Sequence, residues 1–253
     1  MKFLIQKING QIKHDFAFTL LQSIDFKNWL NRGNSKDKII VKYANTEEGK
    51  PIGMNFKLIH ADYVPVGSVE FVSSFCDIYH HVIPKPINVP EDLFVGTFQH
   101  TRREIFNGTE KDLKRLDSGK WFVKSNDKIK GFSDIFKIDN NHVWDIPKGN
   151  YQFSRFISID SEWRAFVYKG KLVGLQNYAG EFTKFPKVDR IESMILAYKS
   201  APVAYTLDVG VNDYDTFVIE CHDMFSCGLY GFADHSIYPN MLNGWFREYL
   251  RKQ

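Results

Sequence analysis

Asp208, Glu220 and His222 lie in a stretch, residues 205–223, that reads as two apolar strands joined by a polar turn. Opposing residue numbers in an antiparallel pair sum to a constant, and a turn centred on Tyr214 sets Asp208 roughly across from Glu220. Side chains alternate between sheet faces, so His222 joins Glu220 while Cys221 points the other way. Two carboxylates and a third donor on one face repel unless something cationic lies between them. A hard divalent ion such as Mg²⁺ meets that need. Lysines at a sheet edge meet it equally, and the hairpin alone does not choose between them.

Cations recur upstream. Lys124 ends the apolar run Trp121-Phe-Val-Lys124, and Lys128 and Lys130 follow on a polar loop. Lysines placed at a strand end and just beyond it can set compact positive charges over a polyphosphate, or they can be solvated surface groups. In Ser161-Glu-Trp-Arg-Ala-Phe-Val167, alternation puts Glu162 and Arg164 on one face. There they make an internal ion pair, or Arg164 clamps a phosphate. Phe225-Ser-Cys-Gly-Leu-Tyr-Gly231 brings two glycines that permit a turn or a close approach of backbone to ligand. Dinucleotide and P-loop glycine patterns, a nucleophile elbow and a zinc-protease helix are all missing from the sequence. What remains is lysine, arginine and carboxylate with no evident nucleophile. That set suits phosphoryl transfer, in which protein groups position substrates and neutralise charge.

Strands must carry most of these residues. Alternation predicts strands over 121–124, 134–138, 152–158, 164–168, 171–178, 203–211 and 216–220, with a tight turn at Lys169-Gly170. Ile191, Met194, Ile195 and Tyr198 recur at helical spacing and stop at Ala201-Pro202. Residues 104–119, charged and rich in helix formers, read as a helix. Residues 238–252 do too, with Met241, Leu242, Trp245, Phe246 and Tyr249 on one stripe. Ahead of these, a strand over 1–6, a helix over 16–30, a strand over 38–43 and a turn-to-helix start at 64–72 suggest a small α/β domain. The proline-rich run Ile83-Pro-Lys-Pro-Ile-Asn-Val-Pro90 is the linker candidate. The expectation is an α+β chain: residues 1–90 as an N-terminal α/β domain and 91–253 as the domain that bears the chemistry.

At 253 residues the chain has ample length for a core, and 25% charged with 43% apolar residues is an ordinary globular balance. A net charge of +3 gives no general nucleic-acid footprint. No apolar run approaches the roughly 20 residues of a membrane span. Cys76, Cys221 and Cys227 have no zinc spacing and leave an odd thiol, which suits core cysteines in a reducing cytoplasm.

The order of motifs resembles the ATP-grasp superfamily, nearest to the bacterial and phage branch named for one arginine and two lysines. The resemblance is carried by Pro65-Val-Gly-Ser-Val-Glu-Phe71, Ile87-Asn-Val-Pro-Glu-Asp-Leu93, Trp121-Phe-Val-Lys124, Lys130-Gly-Phe132 and Glu162-Trp-Arg-Ala-Phe-Val167. Leu207-Asp-Val-Gly210, Val218-Ile-Glu220 and Gly228-Leu-Tyr-Gly231 complete it. It implies two α+β subdomains sandwiching ATP after a pre-ATP-grasp domain. By the same resemblance, Lys124 and Lys130 hold phosphates, and 152–158 is the hinge strand whose backbone reads adenine, with Phe153 or Phe156 against the base. Glu162 binds ribose or pairs with an arginine. Arg164 is the phosphate or acyl-phosphate arginine, and Arg164 and Lys130 are the catalytic pair. Asp208 and Glu220 are Mg²⁺ ligands. Ser125 stands where the family usually has proline, and Glu220-Cys-His222 where it usually reads Glu-x-Asn. Imidazole is softer than an amide oxygen. His222 therefore favours Mn²⁺ as the ion, leaves the oxygen position to Asp223, or weakens the second metal position.

The resemblance implies an ATP-dependent ligase that joins a carboxylate substrate to an amine acceptor (or a thiol) through an acyl phosphate. The acceptor can be a small molecule, a peptide or a protein. A nucleotide-binding module without catalysis is the first alternative. A nucleotidyltransferase forming lysine–AMP is the second, although neither Lys124-Ser-Asn-Asp nor Lys130-Gly-Phe-Ser supplies its usual Lys-x-Asp-Gly.

Overall fold

The computed structural model describes residues 1–50, 61–139 and 145–252. In chain order the strands are β1 (Lys2–Ile8), β2 (Ile40–Thr46), β3 (Val64–Val66), β4 (Ile105–Thr109), β5 (Gly119–Ser125) and β6 (Ser133–Ile138). They continue as β7 (Asn150–Arg155), β8 (Ser161–Tyr168), β9 (Lys171–Gly180), β10 (Ala204–Val211) and β11 (Thr216–Asp223). The α-helices are α1 (Asp15–Leu30), α2 (Val69–His80), α3 (Val188–Ala197) and α4 (Tyr238–Arg251). None of the described helices is long and apolar enough to cross a membrane.

The chain divides into two compact units. The first comprises Met1–Pro84, Pro202–Tyr205 and Asp223–Gln253, and the second Lys85–Ala201 and Thr206–His222. The first break falls inside the proline-rich run. The C-terminal helix groups with the N-terminal segment, a return that local patterning along the chain does not announce.

Unit one is built on a parallel sheet in the order β2-β1-β3. Its central strand has Phe3, Leu4 and Ile5 fully buried, the continuous apolar run of a strand covered on both faces. α1 buries Phe16, Ala17, Leu20 and Ile24 at helical spacing. α4 starts with proline in its first turn and buries Met241, Leu242, Trp245 and Phe246. Ser68 caps α2 by accepting from Phe71 N at 3.2 Å, and left-handed His81 ends it.

Unit two holds two four-stranded sheets, ordered β4-β7-β5-β6 and β11-β10-β8-β9. In the first, β7 pairs antiparallel with β4 and β5, and β5 with β6. One face of this sheet packs Trp121, Val123, Phe136, Tyr151 and Phe153 into a core with Leu113 and Ile146. In the second, β8 and β9 form a hairpin whose turn, Lys169-Gly170, has positive φ at both residues.

Residues 104–119 are not a helix. They form β4, a 3₁₀ turn over Glu110–Arg115 and the start of β5. Asp112 accepts from Thr109 N at 2.8 Å and closes a capping box that makes a short turn. Phe106 stacks on Phe153, with centroids 5.0 Å apart. Strand pairing here outweighs the helix propensity of the charged residues. β7 also ends earlier than expected, at Arg155.

Candidate active site

Alternation along β5 sends Trp121 and Val123 into the core and leaves Phe122 and Lys124 on the opposite face. Register places Gln152 beside Lys124 and Ser154 beside Phe122 on β7, and Ser133 opposite Lys124 on β6. That face forms one wall of a cleft of about 350 Å³, to which the other sheet contributes Glu162, Ile219 and Glu220. Phe122, Ile135 and Phe156 line it and are 36%, 49% and 47% exposed, so its walls present apolar surface that the protein itself leaves uncovered.

The acidic cluster lies on the second sheet. Donor atoms of Asp208, Glu220 and His222 all lie within 4.8 Å of one another. Asp208 is buried, and Arg164 forks onto it: Nε donates to Oδ1 at 2.8 Å and Nη2 to Oδ2 at 2.7 Å. Lys124 Nζ donates to Glu220 Oε2. His222 Nε2 is 2.7 Å from Glu220 Oε1 and 3.8 Å from Asp208 Oδ2. Two carboxylates therefore face two cations. Burial lowers the Lys124 ammonium to about 8, against the pull of Asp208. Glu162 accepts from Tyr178 Oη at 2.7 Å, and the Arg164 guanidinium lies 5.6 Å from the Tyr178 ring. Burial first, then Asp208 and the bond to Glu162, raise the Tyr178 hydroxyl.

The donor set fits a divalent ion: two carboxylate groups and an imidazole nitrogen within reach of one centre. An ion there would compete with Lys124 for Glu220, because both carboxylates already have cationic partners.

Sequence-predicted residues divide into those the fold gathers and those it does not. Lys124, Arg164, Asp208, Glu220 and His222 form one connected set of ion pairs and hydrogen bonds. Glu162 lines the cleft. Lys130 is exposed, with φ of 54°, on the loop between β5 and β6, and is not part of the cleft wall. Phe153 cannot face a base: it is fully buried, because strand alternation turns it to the core side while Gln152 and Ser154 face the cleft. Phe156, by contrast, lines the cleft and is half exposed.

Asn88 and Arg103 also line the cleft, and the sequence singles out neither for a role. Asn88 is buried with φ of 54°; its Nδ2 donates to Ser125 O at 3.0 Å and Asn126 Oδ1 at 2.6 Å, and its carbonyl accepts from Cys221 N at 2.7 Å. Its Oδ1 has no partner among the described residues. Gln152 holds the next residue, accepting from Val89 N at 3.0 Å and donating to Val89 O at 2.8 Å. The only sequence signal for Asn88 is its place in Ile87-Asn-Val-Pro90. Arg103 has none; it immediately precedes the helix expected over 104–119.

Comparison with known proteins bears on this geometry. No curated protein matches the chain. Among solved structures it is similar to D-alanine–D-alanine ligase from Bacillus anthracis, with 11% identity, 100% of this chain and 99% of that one covered, and a TM-score of 0.54. It is also similar to N5-carboxyaminoimidazole synthetase from Staphylococcus aureus, with 11% identity, 96% and 78% covered, and a TM-score of 0.54. At such identity these likenesses speak to fold alone. A family profile described as ATP-grasp domain, R2K clade family 2, matches residues 100–240, more than half of the chain and all of the acidic cluster. The chain belongs to that ATP-grasp family.

Proposed function

We propose that the protein is an ATP-dependent carboxylate–amine (or thiol) ligase that works through an acyl phosphate. The observation that carries this reading is the joined set Arg164–Asp208 and Lys124–Glu220–His222, two acids and two cations of which Lys124 and Glu220 line an apolar-walled cleft. A polyphosphate with its ion matches that charge pattern. Lys124 turns from Glu220 to phosphate, and Glu220 becomes available to the ion. Asp208, Glu220 and His222 would hold Mg²⁺ or Mn²⁺, which would neutralise charge developing on the terminal phosphates. Phe156, Phe122 and Ile135 supply apolar surface for a base, and Glu162 an acceptor for ribose hydroxyls.

In this reading the γ-phosphoryl passes to a substrate carboxylate, and the amine then displaces phosphate from the acyl phosphate. Lys124 is the cation on the cleft wall placed to offset charge on the transferring group, with Lys130 joining it from its loop and Arg164 acting through Asp208, which it holds. Such offset in a partly dry cleft supplies several kcal/mol of transition-state stabilisation. Calorimetry with ATP and Mg²⁺ or Mn²⁺ tests binding, and ATP turnover over a panel of carboxylates and amines tests catalysis. Glu220→Gln and Asp208→Asn are expected to lower turnover by about 100-fold or more. Unchanged turnover in both variants would remove the mechanism. Binding without turnover on any acceptor would point to a nucleotide-binding module, and an AMP adduct on lysine by mass spectrometry to a nucleotidyltransferase.

A further inference from the structure

The cleft wall carries a cation, Arg103, with no carboxylate at ion-pair distance among the described residues. Arg103 precedes β4 and directs its donors to neutral oxygens. Nε donates to Ser154 Oγ at 2.7 Å, Nη1 to Thr101 O at 3.0 Å and Val218 O at 2.7 Å, and Nη2 to Ile219 O at 3.3 Å. A guanidinium has five N–H groups, so one on Nη2 remains. Among the described residues no carboxylate lies at ion-pair distance from Arg103. The cleft's other cations differ: Lys124 pairs with Glu220, and Arg155 with Asp117. Burial alone lowers the Arg103 guanidinium, to about 10, with no neighbouring charge pulling it back.

We propose that Arg103 is the anion anchor of this cleft and holds a phosphate oxygen of the bound nucleotide. That the anion is a nucleotide rests on the ligase reading above. Arg164, to which the resemblance gives a phosphate role, is committed by both oxygens of Asp208. Arg103 has no such commitment. Its group is fixed by four bonds before a ligand arrives, so contact with an oxyanion requires little further ordering of the side chain. A tie between β7 and β11 needs hydrogen-bond donors but not a charge, although a neutral amide, with two N–H groups, would make only part of this one. The four bonds account for all but one of the guanidinium's donors, and the charge, which no described carboxylate meets, is what an anionic ligand accounts for.

The test compares affinities for ATP, inorganic triphosphate and adenosine by calorimetry in the wild type, Arg103→Gln and Arg103→Lys. Arg103→Gln is expected to weaken ATP and triphosphate by about 10- to 100-fold, the range of one charged hydrogen bond, and to leave adenosine within about twofold. Arg103→Lys is expected to recover part of the loss. An equal fall for adenosine and ATP, or no change in either, overturns the anchor and leaves a structural tie. Failure of the wild type to bind ATP overturns the nucleotide reading, and triphosphate then decides the anchor alone: Arg103-dependent binding supports it and no binding ends it. Should Arg103→Gln not fold, arginine side-chain NMR of the wild type replaces it, with Arg103→Lys assigning the signal. A shift of the Arg103 resonance on adding triphosphate supports the anchor, and an unmoved resonance overturns it.

Discussion

Phe153 and Phe156 differ in what strand geometry does with equal chemistry. Phe153 is on β7 and fully buried against Phe106 and Val123, whereas Phe156 lies just past the strand end and is 47% exposed on the cleft. Phe153→Ala leaves a cavity in a packed core and is expected to cost about 3–5 kcal/mol of stability. Phe156→Ala is expected to change stability by no more than ~0.5 kcal/mol and to weaken nucleotide binding by about tenfold, the scale of one base stacked on an aromatic ring. Denaturant unfolding beside ATP calorimetry separates the two; loss of nucleotide affinity in neither would leave the base unplaced. Asn88 is a third case, because its amide ties Ser125 and Asn126 from a left-handed backbone. Asn88→Ala removes both bonds and keeps the unfavourable φ, and is expected to cost about 2–3 kcal/mol by the same unfolding measurement.

Glycines show the same contrast between two ends of one strand. Gly170, in the β8–β9 turn, has φ of 69° and open space where a Cβ would lie, so Gly170→Ala costs only the left-handed backbone, about 1 kcal/mol. Gly180, at the other end of β9, has φ of 75° and a Cβ there would run into the Asp160 carbonyl and the Ser161 backbone. Because backbone cannot move aside cheaply, Gly180→Ala is expected to cost at least about 2 kcal/mol, and equal midpoints for the two variants in urea would refute the difference. The strands legible in the sequence are those whose alternation is strong, such as β5 and β8, and the 205–223 hairpin, whose faces follow from counting across one turn. Residues 104–119 were not legible as strand because Ile105 and Phe106 are the only apolar residues of the first nine and the rest is charged with Leu113 and Leu116 at helical spacing, and what makes β4 a strand is pairing with β7 some 45 residues later. Asp208, Glu220 and His222 were legible as neighbours because adjacent strands hold them. Arg103 and Asn88 were not, since their settings come from Ser154, Val218, Ser125 and Cys221, segments that no local spacing connects.

Each unit of the molecule carries a histidine whose surroundings disfavour its protonated form. In unit one, burial lowers His80 most, and Arg247 and His81 add to it against a backbone bond to Ala61. In unit two, burial again leads for His100, followed by Arg190 and Arg102. An unfolded histidine takes up its proton near 6.5, so below that pH the unfolded chain binds more protons than the folded one, and stability falls as pH drops towards the folded values. Carboxylates open a second loss further down. Hydrogen bonds to Ser200 lower Asp92, and bonds to Asn150 lower Asp127, so their contribution is complete above about pH 4 and disappears as pH falls through their folded values. Thermal midpoints are thus expected to decline in two steps on acidification. Replacing His80 alone by glutamine is expected to shrink the first step, and replacing His80 and His100 together to flatten it between about pH 6.5 and 5 while the carboxylate step below persists. If the units unfold separately, each single variant alters the midpoint of its own unit only, and differential scanning calorimetry resolves which. A first step of undiminished size in the double variant would show that the two imidazoles are not what acid acts upon.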